Sequence, residues 1–366
     1  MKKVLLIFIV IFIFLPFFNI ESFAVDFNEE SNELWSSLDD RTKEYLNELG
    51  IDEISMNDLF EITPLRAMKF LIKTATTTGS EILKKVVLII AVLILTSVTI
   101  SLLDKSSSII EIIQFVSSLI IISMIIVSCV RILNDAVSAV KTTCIFVNAY
   151  LPVMCAAIIA TRNPAMAFTY NSFTIFLSSV IATIADKVLV PIISCLLSFN
   201  ILSSFSTENY RTRIVKTIKR LLIISLSFFS TIFTGILTTQ SILASSTDSV
   251  MLKGIRFISG AFIPIVGGGV GDALSSVFSS FLIMKNTFGV FIIIAIILIN
   301  LPVMLELLIW YFVLGFCSIV SSMLKLDNTT EIFDSLSSIL SILNIIVFFI
   351  TFTLVISTGV ILIMRG

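Results

Sequence analysis

The chain has 366 residues, 57% of them hydrophobic and only 13% charged, with a mean hydropathy of +1.09 and a formal net charge of -1. That much apolar surface exceeds what a single soluble core can bury, so composition alone gives a polytopic membrane protein. The near-zero charge excludes a nucleic-acid partner, which needs a basic face, and the absence of histidine excludes His triads, His metal sites and His proton relays.

Lys2 and Lys3 precede an apolar run from Val4 to Phe18, and Ser22-Phe23-Ala24 places small residues where a signal peptidase reads. Residues 1–24 are therefore expected to be a signal peptide, because the run is short for a span of about 20 residues. Residues 25–83 are expected to form an acidic extracytoplasmic region, with twelve carboxylates between Asp26 and Glu61 against Arg41 and Lys43. Leu34, Leu38, Tyr45, Leu46 and Leu49 recur near helical spacing and stop at Gly50, which predicts one short amphipathic helix with a glycine after its end. Thr63-Pro64 reads as an N-cap followed by proline at the first helical position. The helix it opens carries Leu65, Met68, Leu71 and Ile72 on one face and Arg66, Lys69 and Lys73 along its edge. It fits either a helix resting on the membrane surface or one packed on the membrane domain.

Lys84 and Lys85 introduce a multi-pass membrane domain over residues 84–366. Its apolar runs include Val86 to Leu103, Ile112 to Val130, Cys144 to Ala160, Ala165 to Ala185, Val188 to Phe205, Leu221 to Ala244, Phe288 to Leu305, Leu307 to Leu324 and Leu336 to Met364. Several are at or below the usual spanning length of about 20 residues, and Pro152 and Pro191 predict kinked or partial spans. Cys129, Cys144, Cys155, Cys195 and Cys317 lie singly in apolar runs and read as small buried hydrophobes. The loop Thr207 to Arg220, with Arg211, Arg213, Lys216, Lys219 and Arg220, is the strongest topological marker and is expected in the cytoplasm.

The stretch Phe257 to Met284 is apolar but interrupted. Pro264 removes a helical donor, and Gly267, Gly268, Gly269 and Gly271 loosen the backbone immediately before Asp272. Unpaired backbone and a charge at membrane depth require surrounding protein or a water-filled cavity, so these six residues are the candidate re-entrant segment or translocation path. A re-entrant hairpin here makes Glu306 a tight cytoplasmic turn between the next two runs, whereas continuous helices make it an intramembrane acid. The fold class expected is all-α: a polytopic transmembrane helical bundle with a broken or re-entrant segment and a small extracytoplasmic helical region at its N-terminus.

The runs Phe233-Thr234-Gly235-Ile236, Ala244 to Val250, Phe262-Ile263-Pro264-Ile265-Val266-Gly267-Gly268 and Gly271-Asp272-Ala273 closely resemble the stage III sporulation protein AE family. The similarity covers essentially the whole chain and is most specific from Phe233 to Leu305. The resemblance implies a mother-cell membrane component of the multiprotein channel complex that links mother cell and forespore and supports forespore development. The partners it implies are the other stage III sporulation A-operon proteins, a forespore-encoded channel partner and the lipid bilayer. It implies no cofactor and brings no catalytic residues.

Three classes of function follow. A transport or permease-like subunit is favoured by the broken segment, the short spans and serines such as Ser275, Ser276, Ser279 and Ser280. A non-conducting scaffold is favoured by glycines that allow close helix packing and by an acidic region that recruits partners. An intramembrane aspartyl protease is raised by Gly269-Val270-Gly271-Asp272, a GxGD match. That chemistry needs a second carboxylate, and Asp186 and Asp248 fall in a turn and a loop. A non-enzymatic membrane protein is the expectation.

Overall fold

The structure, a computed structural model, describes residues 28–103, 109–160, 164–185, 187, 190–202, 217–225, 227–229, 231–233, 235–236, 239 and 267–363, with the backbone alone for 267–281. All regular elements among them are helical. In chain order these are α1 (Asn28–Ser36), α2 (Asp40–Leu49), α3 (Met56–Phe60), α4 (Pro64–Ser101), α5 (Ile109–Ala160), α6 (Pro164–Ile184), α7 (Val190–Leu202), α8 (Gly267–Met323) and α9 (Asp327–Ile363). Five of them, α4, α5, α6, α8 and α9, contain stretches long and apolar enough to cross a membrane. The protein is an all-α polytopic bundle.

The short N-terminal helices follow local signals closely. Gly50 ends α2 with φ 86°, and its N–H and that of Ile51 close on Asn47 O and Leu46 O at 2.9 Å each. A side chain at Gly50 would be strained by that φ and would also meet the Arg66 guanidinium. Thr63 Oγ1 accepts from Arg66 N at 3.3 Å, with Pro64 opening α4 as its sequence predicts. The single amphipathic helix expected before Gly50 is two. Asp39 is extended, and its carboxylate accepts from Thr42 Oγ1 at 2.5 Å, a local bond that competes with helix continuation.

These helices are not free in solvent. Leu34, Leu38, Leu46 and Leu49 are buried. Trp35 stacks on Phe291 of α8 with ring centroids 6.1 Å apart, and Tyr45 meets Phe70 of α4 edge to face at 5.3 Å. Lys73 on α4 donates to Glu48 at 2.6 Å. Helix α4 packs on α2, α5 and α8 and buries Ala67 and Phe70, while Leu65, Met68 and Ile72 are exposed. Helix α4 thus packs on the bundle with Leu65, Met68 and Ile72 left on its outer face.

The largest departure from the apolar-run pattern is continuity. Ile112 to Val130 and Cys144 to Ala160 are two parts of the 52-residue α5, and Phe288 to Leu305 and Leu307 to Leu324 are two parts of the 57-residue α8. The hairpin alternative for Glu306 is thereby overturned, since the helix runs through it. Charges interrupt an apolar run without interrupting the backbone bonds. Pro152 and Pro302 each remove one i→i−4 bond without ending their helix. Cys195 is exposed, whereas Cys129, Cys144 and Cys317 are buried as expected.

Polar contacts fix the helix directions. Thr96 and Ser117 at 2.6 Å, with Lys85 Nζ to Ser128 Oγ at 2.8 Å, make α4 and α5 antiparallel. Cys144 with Ser178 and Cys155 with Ala167 do the same for α5 and α6. Helices α8 and α9 reverse at Leu324–Leu326, where Lys325 adopts φ 59°, and pack along their lengths. Ser118 to Thr329 and Tyr150 to Thr358 make α5 and α9 parallel.

Gly289 marks a close approach in the α8–α9 seam, because an added Cβ there would fall on the Leu362 side chain. We expect Gly289→Val to lower thermal stability in detergent by about 1–3 kcal/mol, as overpacking does, and Leu362→Ala in the same chain to restore most of it. A double variant less stable than Gly289→Val alone would mean that these faces do not meet.

Candidate functional site: a charged belt across the bundle

Charges inside an apolar bundle are tolerated when they face one another. Glu306, in the middle of α8, has a side chain only 13% exposed and accepts a hydrogen bond from the Arg131 guanidinium of α5. Glu81 and Lys85 of α4 and Asp135 of α5 also act on Glu306 electrostatically. Lys85 meanwhile donates to Ser128, one turn from Arg131. On α9, Ser341 accepts from Lys219 Nζ at 2.8 Å. Ser341 is as far along α9 from Thr329 as Val130 is along α5 from Ser118, so it stands at the height of Arg131. The belt thus crosses four helices at one level.

Next to the belt lies a buried polar seam. Asn300 Nδ2 donates to Thr143 Oγ1 at 2.8 Å and to Ile296 O at 2.9 Å, while Asn300 Oδ1 has no partner among the described residues. Further along, Tyr170 donates to the Tyr150 hydroxyl at 3.3 Å, which lies 3.4 Å from Thr358 Oγ1. Ser357 Oγ and Thr174 Oγ1 are buried without a partner among the described residues. Buried hydroxyls and amides without partners are uncommon, and here they mark the elements α5, α6, α8 and α9 that enclose the seam.

The residues singled out from sequence divide into three groups. Gly267, Gly268, Gly269, Gly271 and Asp272 form the opening of α8, so any break in that stretch falls before Gly267; Pro264 lies outside the described residues. The structure brings the glycines onto one helix but says nothing of the Asp272 side chain. Lys219 reaches Ser341 and Arg220 is exposed, while Arg211, Arg213 and Lys216 lie outside the described residues. Asp186 and Asp248, the partners that an aspartyl protease would need, lie outside them as well. Among the described residues no group of three metal-ligating side chains comes together.

Arg131, Asp135, Asn300 and Thr143 were not singled out from the sequence. A signal existed for the charges: Lys85 stands immediately before the run at Val86, Arg131 immediately after Val130 and Glu306 between Leu305 and Leu307. Charges at the edges of several apolar runs are the pattern that helices give when those edges meet.

The chain matches the family model of stage III sporulation protein AE over residues 42–365. It belongs to that family. A curated relative, stage III sporulation protein AE of Bacillus subtilis (strain 168), is 30% identical over 159 residues, which is 43% of this chain and 40% of the relative. No solved structure matches.

The Arg131–Glu306 pair joins a half-exposed guanidinium to a largely buried carboxylate, so its worth is best read as a coupling. Arg131→Glu and Glu306→Arg should each destabilise the detergent-solubilised protein, and the charge-swapped double variant should recover, with a coupling of about 1 kcal/mol. Additive losses in thermal melts would mean that the two side chains do not interact.

Proposed function

We propose that this protein is an integral membrane component of the sporulation channel complex between mother cell and forespore, required for forespore development, and that it is the complex's transport or permease-like subunit. The observation that carries the sporulation role is membership of the stage III sporulation protein AE family over residues 42–365. The partners in this reading are the other stage III sporulation A-operon proteins and the forespore-encoded channel partner. The protein sits in the mother-cell membrane around the forespore, with residues 1–24 removed as a signal peptide and the acidic region extracytoplasmic. Its role is non-enzymatic, in keeping with a family named for a developmental stage rather than a reaction.

The transport part of the reading is supported by the seam of Asn300, Thr143, Tyr150, Tyr170 and Thr358 inside an otherwise apolar bundle. Polar groups enclosed within an apolar helical bundle are costly to bury and are characteristic of paths for solutes or ions. A scaffold is the second reading, favoured by the acidic surface of α1–α3, where Asp40, Glu44, Asp52 and Glu53 are exposed and available to a basic partner.

Reconstituting the complex in liposomes with and without this subunit separates the two. Solute flux that requires the subunit supports transport; unchanged flux with loss of complex assembly supports the scaffold. Within the subunit, Gly268→Val should impair sporulation at normal protein level, because a β-branched residue alters the start of α8. Asp272→Asn, which keeps shape and an acceptor but loses charge, should impair it as well. Normal spore counts for both variants would remove Gly267 to Asp272 from the functional centre.

A further inference from the structure

Helix α5 has 52 residues and α8 has 57. At about 1.5 Å per residue they measure about 78 Å and 85 Å, against a bilayer hydrocarbon core of about 30 Å. Only part of each helix can lie in lipid, and the exposed surface says which part. Along the outer stripe of α5, Ile112, Val116, Ile120 and Val127 give way after Val130 to Arg131, Asn134, Ser138, Lys141 and Asn148, with Ile145 the one apolar residue among them, all exposed. Helix α4 changes character at the same height and in the same sense. Before Lys85 its exposed residues mix Lys69, Lys73, Thr77 and Glu81 with Leu65, Met68, Ile72 and Leu83, whereas from Val86 to Ser101 Val87, Leu88, Ile94, Leu95 and Val98 are exposed and no charged residue occurs. On α8 the strongly exposed Phe312, Phe316, Ile319 and Met323 follow Glu306, and Leu282 at 37% precedes it.

A second charged rim closes the apolar zone at its other end, with Glu111 on α5 and Lys325 and Asp327 at the α8–α9 turn, all exposed, and with Asp334, bonded to Ser318, about two turns inside it on α9. From Glu111 to Arg131 is 20 residues, from 131 − 111, or about 30 Å of helix. From Glu306 to Lys325 is 19, from 325 − 306, or about 28 Å. These spans match the hydrocarbon thickness. The acidic helices α1–α3 cannot enter lipid, and they pack on the other half of the bundle, where Trp35 meets Phe291.

We infer that a phospholipid bilayer surrounds only the half of the bundle between these two rims, a collar formed by Val86–Ser101 of α4, Ile109–Val130 of α5, Leu307–Met323 of α8 and the facing part of α9. The other half stands outside the membrane with α1–α3 wrapped on it. Among the described helices, α4–α5 and α8–α9 cross the collar as two hairpins, and both turn at the far rim. Helix α6, alongside Cys144 and Cys155 of α5, stays outside the bilayer although it is long and apolar enough to cross, and its exposed Phe168 and Phe176 face something other than acyl chains. Lys219, bonded to Ser341, sits at the near rim at headgroup height, on the side of the acidic helices. This departs from the charge-based expectation, which places the basic loop and the acidic region on opposite sides of the membrane.

The test uses the full chain in lipid nanodiscs, with the five cysteines replaced by alanine and single cysteines carrying nitroxide labels at exposed positions. Leu95, Val127 and Ile319 should collide with dissolved oxygen several-fold more than with a water-soluble nickel chelate. Thr77, Ile145 and Phe168 should show no such excess, whether open to water or covered by protein. An oxygen excess at Ile145 or Phe168 equal to that at Val127, or nickel access at Val127, overturns the inference. A second measurement uses intact and permeabilised cells. Cysteines at Glu53 and Arg220 should react with an impermeant maleimide together, either both in intact cells or both only after permeabilisation. Reaction of one without the other also overturns it.

Discussion

Glu306 governs the register of this bundle. It is a carboxylate on a helix whose surroundings are apolar for many residues on either side, and its position is tolerable because Arg131 meets it and Lys85 and Asp135 stand nearby. Sliding α8 past α5 by one turn would separate the ion pair by about 5.4 Å and leave a largely buried charge facing aliphatic side chains. Apolar contacts alone would not forbid that slide, because Leu, Ile and Phe rows are nearly interchangeable from turn to turn. The belt therefore supplies what an apolar core lacks, a single preferred height for each helix. Asn300 with Thr143 repeats the constraint two turns away, and Ser318 with Asp334 at 2.7 Å does so between α8 and α9.

Local chemistry was legible in the sequence wherever one or two residues decide a conformation. Gly50 and Thr63-Pro64 did so, and each stands where its side chain requires. The helical class and the membrane setting followed from composition. Element lengths did not, because hydropathy reports whether a stretch is apolar, while helix continuity depends on backbone bonds that Arg131, Lys141 and Glu306 leave intact. A charge ends an apolar run in the sequence and not the helix in space. For the same reason Glu306 was ambiguous between a turn and an interior acid until α5 was placed beside it. The split between α1 and α2 was hidden differently: Leu34, Leu38 and Leu46 keep helical spacing across Asp39, so periodicity continues through a real interruption.

The site was legible only in part. Glycines before an acid draw the eye to Gly267–Asp272, and this segment does open the longest described helix. The belt depends on pairing between residues far apart in the chain, 175 positions in the case of Arg131 and Glu306, and no single stretch carries it. The polar seam is harder still to find, since threonine, tyrosine and asparagine in an apolar run bond their own helix as readily as a neighbour's. Thr351 and Thr353 do so here, to Val347 O and Phe349 O.

Helix α8 ties these parts together mechanically. It opens at the glycine cluster, passes the stack of Trp35 on Phe291, carries Asn300 in the seam and Glu306 in the belt, and ends at the α8–α9 turn. A continuous helix moves as one body unless it bends, and Pro302 sits between Asn300 and Glu306, where a backbone bond is already missing. Displacing the glycine end relative to the collar thus has two routes. Either the whole helix slides and breaks the Arg131–Glu306 pair, or it bends at Pro302 and changes the seam while the belt holds. The second route leaves the ion pair and the α8–α9 turn intact and strains the contacts before Pro302, among them Asn300–Thr143, Trp35–Phe291 and Gly289–Leu362. It is the motion that spares the ion pair, and it acts on the polar groups of the seam.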